Sequence, residues 1–309
     1  MARRSARKWG SQNMRVYQMA RHMQRFYGDV YEVCISFISR RFWKIGSKAW
    51  VAMQPRDSIY FISKHVVCAW DSEDLDCLRR KAMAVLVDYV DLEVRHMRPS
   101  GVDAHIAASF AGARALQKKQ ERMRAAGQKV EGSIHTVLHN YDSAIDGLQF
   151  PPTPKLSAVF LGAMHNFVTT PQIAPEITVL DAYQRAAFKR NVGRLAQFNC
   201  HWCVRPDQGA DPDRQVSPFT KGITATACNA VIITNHQVDD ALELLGGDYP
   251  YMLDSIDAKT LNEGFRRLKE TYGGTPWRSA LERVMPLKEH TSHQSIAGQL
   301  HAVIQEVRR

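Results

Sequence analysis

From Val16 onward the apolar residues recur at helical steps: Val16, Met19, Met23, Phe26/Tyr27, Val30, Cys34 and Phe37/Ile38, while Arg15, Arg21, Arg25 and Arg40/Arg41 occupy other angles. The spacing predicts one long helix with a basic side, in which Gly28 costs roughly 1 kcal/mol and marks a bend or a close approach. A second helix is expected after Pro55, started by Arg56-Asp57-Ser58 and carrying the stripe Ile59, Ile62, Val66/Val67 and Trp70. Leu75, Leu78, Ala82, Val85/Leu86, Tyr89/Val90 and Val94 predict a third over 74–97, ended by Arg98-Pro99-Ser100-Gly101, and 103–126 reads as a fourth.

Three prolines within Pro151-Pro152-Thr153-Pro154 can neither continue a helix nor pair in the centre of a sheet, and a domain junction is expected there. Beyond it 156–167 and 179–198 read as helices, 205–218 as a loop, and the β-branched run 223–234 as a strand or a buried helix. Further helices are expected around 241–245, 258–272, 277–284 and 296–307. The expected fold is mainly α: extended basic N-terminal helices over 1–73, a helical domain over 74–148, and a largely helical C-terminal extension over 149–309.

Charge divides the chain unevenly. Of ten net positive charges, nine fall in the first fifty residues, where Arg3, Arg4, Arg7, Lys8, Arg15, Arg21, Arg25, Arg40, Arg41, Lys44 and Lys48 face only Asp29 and Glu32. Such a segment suits a polyanion, because each Lys or Arg that neutralises a phosphate releases condensed counterions. Trp9, Tyr17, His22, Phe26, Tyr27 and Tyr31 lie among these cations, and flat rings beside forked guanidinium donors suit RNA with unpaired bases. The first 28 residues contain no acid and have the composition of a mitochondrial presequence or of a retained RNA-binding arm. No apolar run reaches the length needed to span a bilayer.

The six cysteines sit mostly in apolar segments, as reduced cysteines do. Cys200 and Cys203 have the spacing with which one turn presents two thiolates to zinc, and Cys228 and His236 can complete a set; buried structural thiols are the competing reading. HExxH, GxxxxGK[ST], GxGxxG and GxSxG are absent, the acidic pairs lack accompanying groups, and no catalysis and no cofactor are expected.

Ala20-Arg21-His22, Phe26-Tyr27-Gly28, Val30-Tyr31-x-Val33, Arg40, Phe42 and Ile59-Tyr60-Phe61-Ile62 together resemble the start of the bacterial-type large-subunit ribosomal protein twenty family, over roughly residues 15–66. The chain departs from that family in 50–58, which holds only Arg56 and includes Pro55, and in nearly two hundred residues without counterpart. The resemblance implies a structural, non-enzymatic constituent of a mitochondrial large ribosomal subunit in the matrix. Its N-terminal helices would scaffold ribosomal RNA through Arg21, Arg25, Tyr27, Tyr31, Arg40 and Arg41, and its extension would bind neighbouring ribosomal proteins, with Trp202, Tyr251 and Trp277 as anchors. Two other readings stand beside it: a viral nucleocapsid or coat protein packaging RNA, and a zinc- or cysteine-dependent enzyme.

Overall fold

The computed structural model describes residues 2–3, 10–38, 47–207, 209 and 211–308. The chain divides into two compact units, one formed by residues 1–139, 210–218 and 293–309, the other by 140–209 and 219–292. The division falls ahead of the proline-rich stretch.

In the first unit two short strands, β1 (Ala2–Arg3) and β2 (Phe37–Ile38), pair in parallel. Its main sheet is β3 (Ile59–Ile62), β4 (Ala84–Asp88), β5 (Ala104–Ala107) and β6 (Ser133–Thr136), parallel and in chain order. This sheet joins residues from either side of position 73, pairing Ile59 with Ala84. Every residue of β4 and β5 is buried, as parallel strands covered on both faces must be. The helices between strands start at side-chain caps: Asp71 and Asp74 form a capping box at α4 (Ser72–Arg79), and the Ser109 hydroxyl accepts from the Gly112 N–H at α5 (Phe110–Ala125). Earlier helices are α1 (Met19–Tyr27), α2 (Ser47–Ala52) and α3 (Lys64–Val67), and the last, α11 (His293–Val307), packs on α1.

The second unit holds β7 (Ala158–Gly162), β8 (Ile177–Asp181), β9 (Cys200–Trp202), β10 (Val231–Asn235) and β11 (Met252–Leu253). They form one parallel sheet in the order β11-β10-β9-β7-β8. The chain runs from β7 to β8 on one side and then to β9 on the other, so the strand order reverses between β7 and β9. Its helices are α6 (Arg185–Asn191), α7 (Thr220–Ala227), α8 (Ala241–Leu245), α9 (Ala258–Glu270) and α10 (Thr275–His290).

The expectation of a mainly α protein is corrected by these nine strands in two larger sheets. The physical reason is that strands buried on both faces are continuous apolar runs, in which positions three and four apart are apolar by default. Ile59–Ile62 begins no helix; Ala84–Asp88 lies inside the expected third helix, and Ala158–Gly162 inside the one expected over 156–167. The single long N-terminal helix is a π-helical turn, Asn13–Gln18, running into α1, which ends at Gly28. Among the described residues no helix is long and apolar enough to cross a membrane. Trp202, Tyr251 and Trp277, expected as outward anchors, are core residues at 0, 2 and 6% exposure, their rings satisfied by each other and by Phe265.

Candidate functional site

A doubly wound sheet leaves a crevice outside the carboxyl ends of its strands where the strand order reverses, because the flanking connections diverge there. In the second unit that place is the end of β7 and β9. Helix α7 runs back between parallel β9 and β10, so its first turn lies at the same carboxyl end. Its N-cap residue, Phe219, offers no side-chain acceptor, and Gly222 is required because a Cβ there would lie 2.0 Å from the Phe219 ring.

Lys221, on that first turn, projects over β7. Its ammonium nitrogen lies 4.1 Å from the centre of the Phe160 ring, and its stem fills the space that Gly162 leaves: a Cβ on Gly162 would stand 3.2 Å from Lys221 Cε. The side chain as a whole is half-buried, but the nitrogen itself is out of solvent and has no hydrogen-bond partner among the described residues. Burial lowers its pKa to about 8; the Cys203 thiol opposes that shift and the Arg205 guanidinium adds to it. No carboxylate among the described residues acts on it. Arg205 is held beside it through its backbone: its N–H donates to Asn235 Oδ1 at 3.0 Å and its carbonyl accepts from Asn235 Nδ2 at 3.1 Å, with Asn235 fully buried.

An ammonium without an acid at the N-terminus of a helix, with the Arg205 guanidinium acting on it, suits a polyanion, since the desolvated ammonium regains from the ligand what burial removed. Lys221 is not among the site residues expected from the sequence. The signal present was a lysine followed by glycine at the head of a small-residue run, Ile223 to Ala227, just ahead of the β-branched run Val231 to Thr234: a helix start followed by a buried strand.

The cysteines flanking this region do not assemble into the ligand set that their spacing allowed. Cys200, Cys203 and Cys228 are buried free thiols, burial raising the first well above its usual value and the other two to about 12. Among the described residues no group of three or more His, Cys, Asp or Glu is disposed to hold a metal ion.

The residues expected to bind RNA are dispersed. Arg4, Arg7, Lys8, Arg40, Arg41 and Lys44 lie outside the described residues, and Arg3 lies in β1. Arg15 is 1% exposed and forms a forked ion pair with Asp88, Nη2 to Oδ1 at 3.1 Å and Nε to Oδ2 at 3.3 Å, while its Nη1 donates to the Val137 and Leu138 carbonyls. His22 is buried and stacked on His293 with ring centres 4.1 Å apart; burial, then His293, lowers it to about 4. Tyr27 stacks on His301, and the Tyr31 hydroxyl lies 2.9 Å from His301 Nδ1. Lys48 pairs with Glu73 at 2.5 Å, leaving Arg21 and Arg25 exposed on α1.

No family model matches the sequence, and no curated protein matches it. Solved structures do match. A glycosyltransferase from Rickettsia africae superposes with a TM-score of 0.61 at 9% identity, covering 99% of this chain and 97% of that one. HepE of Anabaena in complex with UDP gives 0.59 at 9% identity, covering 99% and 98%. The Escherichia coli protein titled trehalose-6-phosphate, bound with UDP-2-fluoro glucose, gives 0.56 at 10%, covering 93% and 86%. These likenesses overturn the resemblance to ribosomal protein twenty and, with it, the assignment to a mitochondrial large ribosomal subunit, the ribosomal RNA and protein partners and the non-enzymatic reading. The ribosomal match rested on few-residue elements in 15–66, whereas the superpositions take in nearly the whole chain, and the fold they establish is the two-sheet GT-B fold of glycosyltransferases.

Proposed function

We propose that the chain is a glycosyltransferase that takes a nucleoside-diphosphate sugar in its second unit, with Lys221 and Arg205 on the diphosphate. The observation that carries this reading is the Lys221 ammonium, buried without an acid and aimed at the strand-order reversal. The fold supports it, as do the UDP and UDP-sugar bound by two of the similar structures.

In glycosyl transfer an acceptor hydroxyl bonds to the anomeric carbon and gives up its proton while the bond from that carbon to the diphosphate oxygen breaks, and negative charge grows on the leaving diphosphate. Preorganised cations in a water-poor site stabilise that charge more in the transition state than in the ground state, which is what accelerates the step. Asn235 holds the Arg205 backbone in place beforehand, so little reorganisation is needed when charge develops.

Isothermal titration of the full chain with UDP, GDP and ADP, alongside nucleotide release from a panel of their sugars, tests the reading. Micromolar binding of at least one diphosphate and turnover of its sugar are expected. Absence of binding by every nucleotide to folded protein would overturn it.

A further inference from the structure

The diphosphate role proposed for Lys221 accounts for only one half of a nucleotide. Gly162, which makes room for Lys221, pairs in register with Asp181, the last residue of β8, and the Ala182 N–H donates to the Gly162 carbonyl at 3.2 Å. The carboxyl end of β8 is therefore one strand spacing, about 4.8 Å, from Gly162. Asp181 is exposed and has no ion pair among the described residues; its Oδ1 accepts from the Tyr183 N–H at 2.8 Å, and its carbonyl accepts from Asn191 Nδ2 at 2.8 Å, so the turn is fixed. Tyr183 is 64% exposed, its ring met edge-on by His165 at 5.8 Å and 80°, and Met164 beside them is 58% exposed.

A carboxylate next to a polyphosphate pocket is repelled by phosphate but accepts hydrogen bonds from neutral hydroxyls. Asp181 follows Gly162 by nineteen positions, at the end of the strand adjoining the first, which is where an acid reads ribose hydroxyls in dinucleotide-binding sheets. A tyrosine held by an edge contact presents a flat face for an unstacked base. Resting on the nucleotide-sugar reading of the Lys221 pocket, we propose that Asp181 and Tyr183 hold the nucleoside half of the ligand, Asp181 accepting the ribose hydroxyls and Tyr183 stacking the base.

Both side chains are exposed, so Asp181→Ala and Tyr183→Ala are expected to fold. Dissociation constants would be measured for UDP, GDP and ADP, each against its 2′-deoxy counterpart, and for inorganic pyrophosphate. The wild-type chain is expected to prefer the ribonucleotide roughly tenfold, Asp181→Ala to erase that preference, and Tyr183→Ala to weaken the nucleotide roughly tenfold, with pyrophosphate unchanged in both. Equal affinity for ribo- and deoxyribonucleotide, or a preference that survives Asp181→Ala, would overturn the role of Asp181; an unchanged nucleotide affinity in Tyr183→Ala would overturn that of Tyr183. If neither nucleotide nor pyrophosphate binds, the nucleotide-sugar reading falls and this inference with it, whereas binding that ignores both substitutions removes this inference alone.

Discussion

Each unit sets a cation with buried nitrogens against its sheet, Arg15 in the first and Lys221 in the second, and the two are treated in opposite ways. Arg15 in the first unit meets a carboxylate with two nitrogens and two carbonyls with the third, leaving nothing for a ligand. Lys221 in the second has an aromatic face, a thiol and another cation around it. Taking a charge out of water is costly unless a partner restores the lost solvation; the first cation has that partner, and the second has none among the described residues. Charge counting treats the two alike; their surroundings separate them.

The largest effect expected from breaking this contrast is at Arg15. Arg15→Met should destabilise the protein by about 3–5 kcal/mol, because it strands Asp88, fully buried, without its partner. The double variant Arg15→Met/Asp88→Leu should recover most of that loss, since a well-packed apolar pair is nearly equivalent to a buried ion pair. Urea unfolding measures both, and a single-variant loss below about 1 kcal/mol would show that the pair is not what holds Asp88.

Lys221→Met should act with the opposite sign on the apo fold. Removing a buried ammonium without an acid should raise apo stability by about 1 kcal/mol while weakening a nucleoside diphosphate by roughly 2–3 kcal/mol, on the scale of a desolvated charge contact. Thermal unfolding with and without nucleotide reads both at once. A variant that is destabilised when apo would mean Lys221 has a structural partner after all.

How much of this contrast was legible in the sequence depends on the element. The helices near 241, 258, 277 and 296 were legible because each buries one apolar stripe. The strands were not, because Val85, Leu86 and Val87 are all buried and show no alternation. Composition exposed the concentration of positive charge at the N-terminus but could not say that Arg15 faces Asp88, seventy-three positions away. Lys221 was equally silent, since only the pairing of β7 with β9 brings Phe160, Gly162 and Arg205 around it.

Proton linkage gives a smaller effect that distinguishes the two cations by pH. The apo pKa of Lys221 is lowered to about 8, and a bound diphosphate raises it again, so binding takes up a proton at alkaline pH. Affinity should be flat below about pH 8 and fall by up to tenfold per unit above it, until the bound-state pKa is passed. Apo stability moves the other way: between about pH 8 and the unfolded lysine value near 10.4 the unfolded chain holds more protons, so stability rises across that window. Titrations in buffers of different ionisation enthalpy would count the protons, and a pH-independent affinity between 7 and 9.5 would exclude the linkage.

The smallest expected effect is at Gly162, where Phe160 and Lys221 meet. A methyl there would stand 3.1 Å from Phe160 Cζ and 3.2 Å from Lys221 Cε, both tighter than ordinary contact. Phe160 is fully buried and cannot retreat, whereas the lysine stem is long and half-exposed, so the lysine is the side chain that gives way. Gly162→Ala should therefore change stability by only about 0.5 kcal/mol, because the loss of contact is offset by reduced freedom of the unfolded chain. The displaced ammonium no longer sits over the ring, and pyrophosphate affinity should fall a few-fold. Equal affinities in Gly162→Ala and wild type, at unchanged stability, would mean that the lysine has room to spare and that Gly162 is not what positions it.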